Sequence, residues 1–506
     1  MDLEFYISAL LIFLFLYYVV PFLTLNSNLR DIPGPLIARF SHLWLLLQAR
    51  LGRRYQTIEA AHKKYGKLVR IQPNHISIAD DSAIIPVYGH SNGLLKSEFY
   101  TAFVFLRPNL FNTLDRDEHS RKRKPLLPIH SVASVHKFEK KIHENLRLII
   151  KQWDKLAKEA NNDYAKLDCM HWLNLLAFDI IGDVTYGKSF NLLKTGQDIV
   201  ETRNTPDDPP TYQPVVEVLN RRGDVSATLG CFPQLLPFAK YIPDPFFTKG
   251  LTAVNHLNGI AVARVAQRFK GKSETDGVDI LTRLMQGNDE KGENQDIAEL
   301  VTQSLTQVIA GSDTTSNTSC AIFFWVLRTP HVLSKLQAEL DAAIPENIDM
   351  PSYDTVKDLS YLTSVIKETL RIHSTSSIGL PRVVPPGPGV TICSRYFPAG
   401  TVLSVPSYTI HHSPEIWGED VEEFVPERWS RLTSRQKSSF FPFSHGPRAC
   451  IGRNLAMMQL HLMIATLIRR YDFILYSESL ETREGFIRKP IRCMIGLKKR
   501  VKLGDP

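Results

Sequence analysis

The run Phe443-Ser444-His445-Gly446-Pro447-Arg448-Ala449-Cys450-Ile451-Gly452 surrounds a single cysteine with two glycines, a proline and an arginine, just before an apolar run of helical period. These residue types suit a metal-binding thiolate. Such a ligand needs a sharp turn to aim its sulfur, backbone N–H groups to stabilise its charge and a helix N-terminus behind it. Gly446 and Gly452 would allow the turn and the close approach of a flat macrocycle. A buried structural cysteine is the alternative.

Three further groups of residues could support chemistry. Ala310 to Ser319 is a polar run holding Asp313 and Thr314, set between the apolar stretches Val301 to Ile309 and Ala321 to Leu327. Ser, Thr, Asp and Asn compete for their own backbone, and Gly311 costs a helix about 1 kcal/mol relative to Ala. Periodicity therefore leaves two readings: a cap or loop between two helices, or a functional interruption in which a carboxylate and a hydroxyl relay protons. Glu368 and Arg371 lie three apart on the helical stretch Tyr361 to Ile372 and share a face, which by itself indicates no more than a surface salt bridge. His119 and Arg123 are one helical turn apart in the basic segment Arg116 to Lys124, either a solvated face or a place for an anion.

Taken together these motifs resemble the cytochrome P450 superfamily. The cysteine window matches Phe-x-x-Gly-x-Arg-x-Cys-x-Gly at every fixed position, through Phe443, Gly446, Arg448, Cys450 and Gly452. Ala-Gly-x-Asp-Thr is similar to the distal P450 helix, which opens beside the oxygen site. Glu368 and Arg371 match Glu-x-x-Arg, and Pro426-Glu427-Arg428 supplies the downstream arginine. The resemblance implies heme b with Cys450 as axial ligand and Asp313 and Thr314 as the catalytic proton relay. It also implies Arg448, Arg123, His119 and Arg382 as propionate partners, and Glu368, Arg371 and Arg428 as a buried charged support for the heme loop. Since a buried triad tolerates no missing member, Glu368→Ala is expected to abolish heme incorporation. Arg121, Lys122 and Lys124 are expected to stay solvated, facing an acidic electron-transfer partner.

Composition bounds the setting. The chain has 506 residues, with no long Gly/Ser linker and no internal repeat to divide it. Its six cysteines are dispersed, without Cys-x-x-Cys or disulfide-like spacing, which points to a reducing compartment and away from structural zinc. A net charge of +8 is modest at this length and lends nucleic-acid binding no support. From Phe5 to Leu25 there are about 20 residues without a charge, enough for a helix across a bilayer. Asp2 and Glu4 precede the stretch and Arg30 follows it, unlike a cleaved signal peptide, and this polarity places the body in the cytosol. The expected organisation is a single-pass anchor over 1–25, a linker over 26–38 with the proline hinge Ile32-Pro33-Gly34-Pro35, and a heme domain over 39–506. Endoplasmic reticulum is the expected membrane.

The body reads as mainly α with small β-sheets. Helices are expected near Tyr55 to Lys64, Lys137 to Lys158, Cys169 to Gly187 and Val254 to Phe269, and a hairpin joins Leu68–Ile71 to His75–Ile78. A second β region lies between Val383 and Tyr408, punctuated by prolines and glycines. Thr205 to Pro214 and Gly287 to Gln295 read as surface loops. The aromatic stretch Gly230 to Phe247 is either a pocket roof at the membrane or ordinary core.

The resemblance implies a heme-thiolate monooxygenase fed by a separate NADPH-cytochrome P450 reductase, since no flavin or nicotinamide fingerprint is present. Stretches such as Asn74-His75-Ile76-Ser77-Ile78-Ala79-Asp80, Leu95-Lys96-Ser97-Glu98-Phe99-Tyr100 and Gly379-Leu380-Pro381-Arg382-Val383 are similar to fungal benzoate 4-monooxygenases. That implies hydroxylation of a small benzoate-like aromatic substrate. Ser376, Ser377, Gln303 and Gln307 are candidate donors to its carboxylate. The alternative is a tailoring enzyme for a phenolic, polyketide-like or terpenoid intermediate of fungal secondary metabolism. A P450-fold isomerase or a non-catalytic heme protein would have no need of Asp313 and Thr314.

Overall fold

The computed structural model describes residues 20, 27–90, 93–161, 163–271, 278–286 and 296–500. Apart from Val20, the stretch read as an anchor lies outside them, as does residue 26 of the linker. No helix among the described residues is long and apolar enough to cross a membrane. The body is mainly helical with small sheets.

Nine helices position the site: α1 (Arg54–Tyr65), α2 (Arg116–Arg123), α3 (Glu139–Glu159), α4 (Cys169–Tyr186), α5 (Val215–Gly230), α6 (Pro245–Phe269), α7 (Ile297–Arg328), α8 (Ser360–Ile372) and α9 (Arg453–Arg470). The 32 residues of α7 run about 48 Å through the centre, bordered by α4, α6, α8 and α9. Asp296 caps it by accepting from the Glu299 N–H at 2.8 Å.

The polar run does not interrupt α7. Its hydroxyls turn back onto the helix, Ser312 to the Val308 carbonyl at 2.7 Å, Thr314 to Ala310 at 2.7 Å and Thr318 to Thr314 at 2.9 Å. A loop between two helices is absent, because the hydroxyls of Ser312, Thr314, Ser316 and Thr318 find carbonyl acceptors three or four residues back without leaving helical geometry. Gly311 is needed for contact: a Cβ there would lie 2.5 Å from Cδ1 of Ile181 on α4.

Beside the helices lies a five-stranded sheet of β1 (Leu68–Gln72), β2 (His75–Ile78), β3 (Leu95–Lys96), β4 (Arg382–Val383) and β5 (Val402–Ser404), in the order β1-β2-β5-β4-β3. The β1–β2 hairpin pairs Leu68 with Ile78 and Val69 with Ser77. A second hairpin, β6 (Thr482–Glu484) with β7 (Arg488–Pro490), projects Phe486 from its turn. The stretch Thr205 to Pro214 is not wholly loop: Thr211–Pro214 pairs antiparallel with Ile199–Thr202, and the Thr202 and Thr211 hydroxyls meet at 2.7 Å. The other expected loop, Gly287 to Gln295, lies outside the described residues. Between Gly230 and Phe247 the aromatics divide. Phe232 and Phe247 are buried, while Phe238 and Tyr241, on the short 3-10 helix Pro233–Tyr241, are 62% and 72% exposed.

Candidate functional site

Cys450 occupies the loop before α9, with Gly452 at the helix N-cap. The loop is closed by backbone, Cys450 N–H to the Phe443 carbonyl at 3.0 Å and Ala449 N–H to Gly446 at 3.0 Å. Gly446 has φ +68°, and a Cβ there would run into the Tyr88 carbonyl oxygen, so both backbone conformation and space demand glycine. Gly452 serves differently from the expected turn. Its φ of −82° suits any residue, and its backbone N–H faces the Cys450 sulfur. Cys450 is open to an internal cavity yet deep within the protein. Burial pushes its thiol up, opposed by the Gly452 N–H and the charges of Arg123 and Arg453. A metal ion on the sulfur would remove the proton outright.

The cavity encloses about 780 Å³. Phe443, Arg448, Cys450 and Gly452 line it from the cysteine side, His119 and Arg123 from α2, and Asp313 and Thr314 from α7. Gly446 and Arg382 are not among its lining residues. Arg382 is buried just behind, donating to the Tyr100 hydroxyl at 2.9 Å and the Pro381 carbonyl at 3.1 Å, with its guanidinium over the Tyr88 ring. Arg123 donates to the Ala449 carbonyl at 3.1 Å, fastening α2 to the cysteine loop. Arg448 holds the carbonyls of Thr113, Leu114 and Asp115 at 2.8–3.1 Å and keeps its Nε–H and one Nη1–H for another acceptor.

Sequence reasoning missed one member of this group. Lys96, on β3, is buried, lines the cavity, lies over the rings of Tyr100 and Phe111 and donates to the Phe111 carbonyl. Its only sequence signal was a lysine between the apolar pair Leu94-Leu95 and the aromatics Phe99 and Tyr100. Among the described residues no carboxylate pairs with Lys96, Arg123, Arg382 or Arg448. Burial and mutual repulsion push Lys96 well down, Arg448 to about 10 and the His119 imidazole to about 3. Such a cationic cluster beside a cavity-facing sulfur calls for a planar ligand carrying acidic groups at one edge. Heme b, with iron for Cys450 and two propionates for the cations, fits.

Lys122 departs from the solvated face expected of it. It is 4% exposed, and its ammonium bonds Glu299 of α7 at 2.6 Å and Glu118 at 2.9 Å. Arg121 also forks onto Glu118, with both bonds at 2.7 Å. The reason is that α2 docks against the N-terminus of α7, so that Glu299 of α7 joins Glu118 of α2 itself in taking these cations from solvent.

On the opposite wall, Asp313 and Thr314 are adjacent but each already has a partner. Thr314 donates to its own helix and keeps its oxygen lone pairs toward the cavity. Asp313 is ion-paired with Lys489 of β7, and Lys489 also donates to Asn220 of α5 at 2.7 Å. Lys489, isolated in the C-terminal basic sequence, gave no signal of this role. Of the four candidate carboxylate donors, Ser376 and Gln307 line the cavity. Ser377 is bonded to the Ser374 carbonyl, and Gln303 is held between Leu110 and Glu299.

Glu368, Arg371 and Arg428 form a buried network away from the cavity. Glu368 accepts from Arg371 Nε at 3.1 Å and Nη2 at 2.8 Å, Arg428 Nε at 3.0 Å, the Val425 N–H at 3.1 Å and Trp429 Nε1 at 2.9 Å. It reaches the cysteine loop through His411, unforeseen from the sequence. Arg371 donates to the His411 carbonyl at 3.0 Å, and the Phe441 N–H donates to His411 Nε2 at 3.2 Å, two residues before Phe443. That donor leaves the imidazole proton on Nδ1, facing the Ser374 hydroxyl at 2.7 Å, and burial keeps the ring neutral.

Comparisons with known proteins agree with this geometry. The protein-family model described as Cytochrome P450 matches residues 33–495. A benzoate 4-monooxygenase of Aspergillus niger is 55% identical over 496 residues, 96% of each chain. A cytochrome P450 monooxygenase of Penicillium roqueforti is 31% identical, covering 89% of this chain and 84% of its own. One of Aspergillus terreus is 29% identical over 92% and 94%.

Proposed function

Because the chain belongs to the cytochrome P450 family, we propose that this monooxygenase hydroxylates the ring of a small aromatic carboxylic acid, benzoate or a close relative, at the position para to the carboxylate. Likeness to the Aspergillus niger enzyme over nearly the whole of both chains carries this reading, because it spans far more of the sequence than the cysteine loop. Heme b held by the Cys450 thiolate would supply the oxygen-activating chemistry, with the sulfur as an electron-donating ligand.

The chain's own residues contribute position and protons. Lys96, Arg123, Arg448 and, from behind, Arg382 would neutralise the propionates, with neutral His119 as a further donor. Thr314, its hydroxyl held by Ala310, presents lone pairs to the oxygen side and holds a water or a proton there. Asp313 exchanges protons with it once the Lys489 pair loosens. Glu368, Arg371 and Arg428 keep the loop in place through His411. Residues 1–25 anchor the chain in the endoplasmic reticulum, 26–38 form the linker and 39–506 the heme domain in the cytosol, where an NADPH-cytochrome P450 reductase delivers electrons. The test is benzoate added to the full-length protein in membranes with that reductase. A shift of the heme spectrum and a 4-hydroxybenzoate product support the reading. Neither a shift nor turnover would refute it.

A further inference from the structure

We infer that Arg222 of α5 receives the carboxylate of the substrate and sets the preference for acids over neutral aromatics, an inference that rests on the aromatic-acid reading above. Arg222 falls on the buried stripe of its helix with Val215, Val218, Leu219 and Val225, where a charged residue has no structural reason to be. Its neighbour Arg221 points outward and pairs with Glu217 at 2.6 Å. Arg222 is 5% exposed, lines the cavity and makes one long hydrogen bond, from Nη2 to the Phe103 carbonyl at 3.4 Å. Its Nε is buried with no partner.

Comparison with a structural arginine of the same protein sharpens the point. Arg371 is equally buried but makes five hydrogen bonds, two of them to a carboxylate. For Arg222 the rings of Phe103 and Phe105, 5.1 and 5.3 Å from the guanidinium carbon, fix the plane without supplying a counter-charge.

The charge balance of this half of the cavity points the same way. Its cations are Arg222, Arg483 and Lys489, and its acids are Asp224 and Asp313. Arg483 pairs with Asp224 at 2.8 Å and Lys489 with Asp313, so one positive charge is left, on Arg222. The group is also separate from the cationic cluster near Cys450. Burial alone accounts for its lowered pKa, about 10, so it stays protonated at neutral pH. A guanidinium with open donors in a nearly dry site matches one carboxylate in fork geometry. The rings of Phe111 and Phe486, edge to face at 5.2 Å, line the same cavity and offer an aromatic substrate a matching wall.

The experiment uses the full-length protein in membranes with its reductase, and reads heme-spectral binding of benzoate, phenylacetate and cinnamate, each beside its methyl ester. The unaltered protein should prefer the acid. Arg222→Gln should weaken binding of that acid by about 10- to 100-fold, as for loss of a charge-assisted hydrogen-bonded pair, while the ester changes by less than about threefold. Arg222→Lys, keeping the charge without the fork, should fall between. The reduced-CO band reports an intact heme site in each variant. If acid and ester weaken together, or the acid is unaffected, the inference is overturned, and so it is if the unaltered protein prefers none of the acids to its ester. Benzoate turned over equally well by Arg222→Gln would overturn the anchor and leave the substrate reading standing. An Arg222-dependent preference for another acid, with benzoate ignored, would do the reverse.

Discussion

Replacing Glu368 by Gln removes one charge and keeps the shape, and its effect follows from the bonds. The carboxylate accepts five hydrogen bonds, three at Oε1 and two at Oε2. An amide must put its NH2 group at one of these positions, where it meets at least two donors: Arg371 Nε and Trp429 Nε1, or Arg371 Nη2, Arg428 Nε and Val425 N–H. Arg371, fully buried, retains only carbonyl acceptors, while Arg428 keeps the half-exposed Asp420 at 3.1 Å. Leaving a buried charge without its partner costs about 3–5 kcal/mol, a large part of an ordinary domain's 5–15 kcal/mol. For 506 residues the unfolding entropy scales to about 1 kcal/mol per degree, so the thermal midpoint should fall only about 3–5 °C. The larger consequence is local. With Arg371 loosened, the His411 carbonyl and through it the Phe441 N–H lose their fixed positions beside the cysteine loop. Heme content per chain and the intensity of the reduced-CO Soret band should drop severalfold, and Glu368→Asp should rescue neither, because the shorter side chain cannot reach both arginines. A Glu368→Gln protein with full heme content and an unchanged midpoint would refute the argument.

Cys450→Ala should abolish the thiolate-type Soret band of the reduced CO complex while leaving the fold near intact, since the cysteine's structural hydrogen bond is made by its backbone; a surviving band would reject the ligand assignment. Thr314→Ala should keep heme, because alanine suits a helix at least as well, yet divert electrons to peroxide; unchanged product formed per NADPH oxidised would remove Thr314 from the relay. Acidification should destabilise the protein through His75 and His412, both held neutral by burial, with pKa values lowered from 6.5 to about 3. The unfolded chain binds these protons first, so stability is full above pH 6.5 and is lost as pH falls towards 3, by about 2 kcal/mol per histidine at pH 5. Denaturant midpoints at pH 7 and 5 measure it, and a His75→Gln variant with an undiminished loss would contradict that site's share.

What the sequence disclosed and what it concealed divide along a physical line. The loop around Cys450 and Gly446 could be read because a tight turn imposes residue types at fixed short spacing, and Glu368 with Arg371 because one helix turn sets their distance. Periodicity in α1, α3, α4 and α8 was legible for the same reason, since local geometry writes itself into neighbouring positions, whereas α5 went unread and α7 admitted two readings. Burial of Lys122 and the pairing of Lys489 with Asp313 were not, since each depends on a partner 177 or 176 residues away that fold topology alone brings near. The polar run in α7 misled because propensity counts hydroxyls against a helix, whereas here four of them, on Ser312, Thr314, Ser316 and Thr318, bond back onto the helix and it continues. Arg222 belongs with the concealed cases: neither its helix nor its role was read from the sequence, and its lack of an acid becomes meaningful only when Asp224 and Asp313 are seen to be taken by Arg483 and Lys489. A missing counter-ion is a property of a whole cavity, assembled here from α5, α7 and the β6–β7 hairpin, and no single stretch of sequence contains it. That is why the cofactor half of this site announces itself in a ten-residue motif while the half that selects the substrate does not.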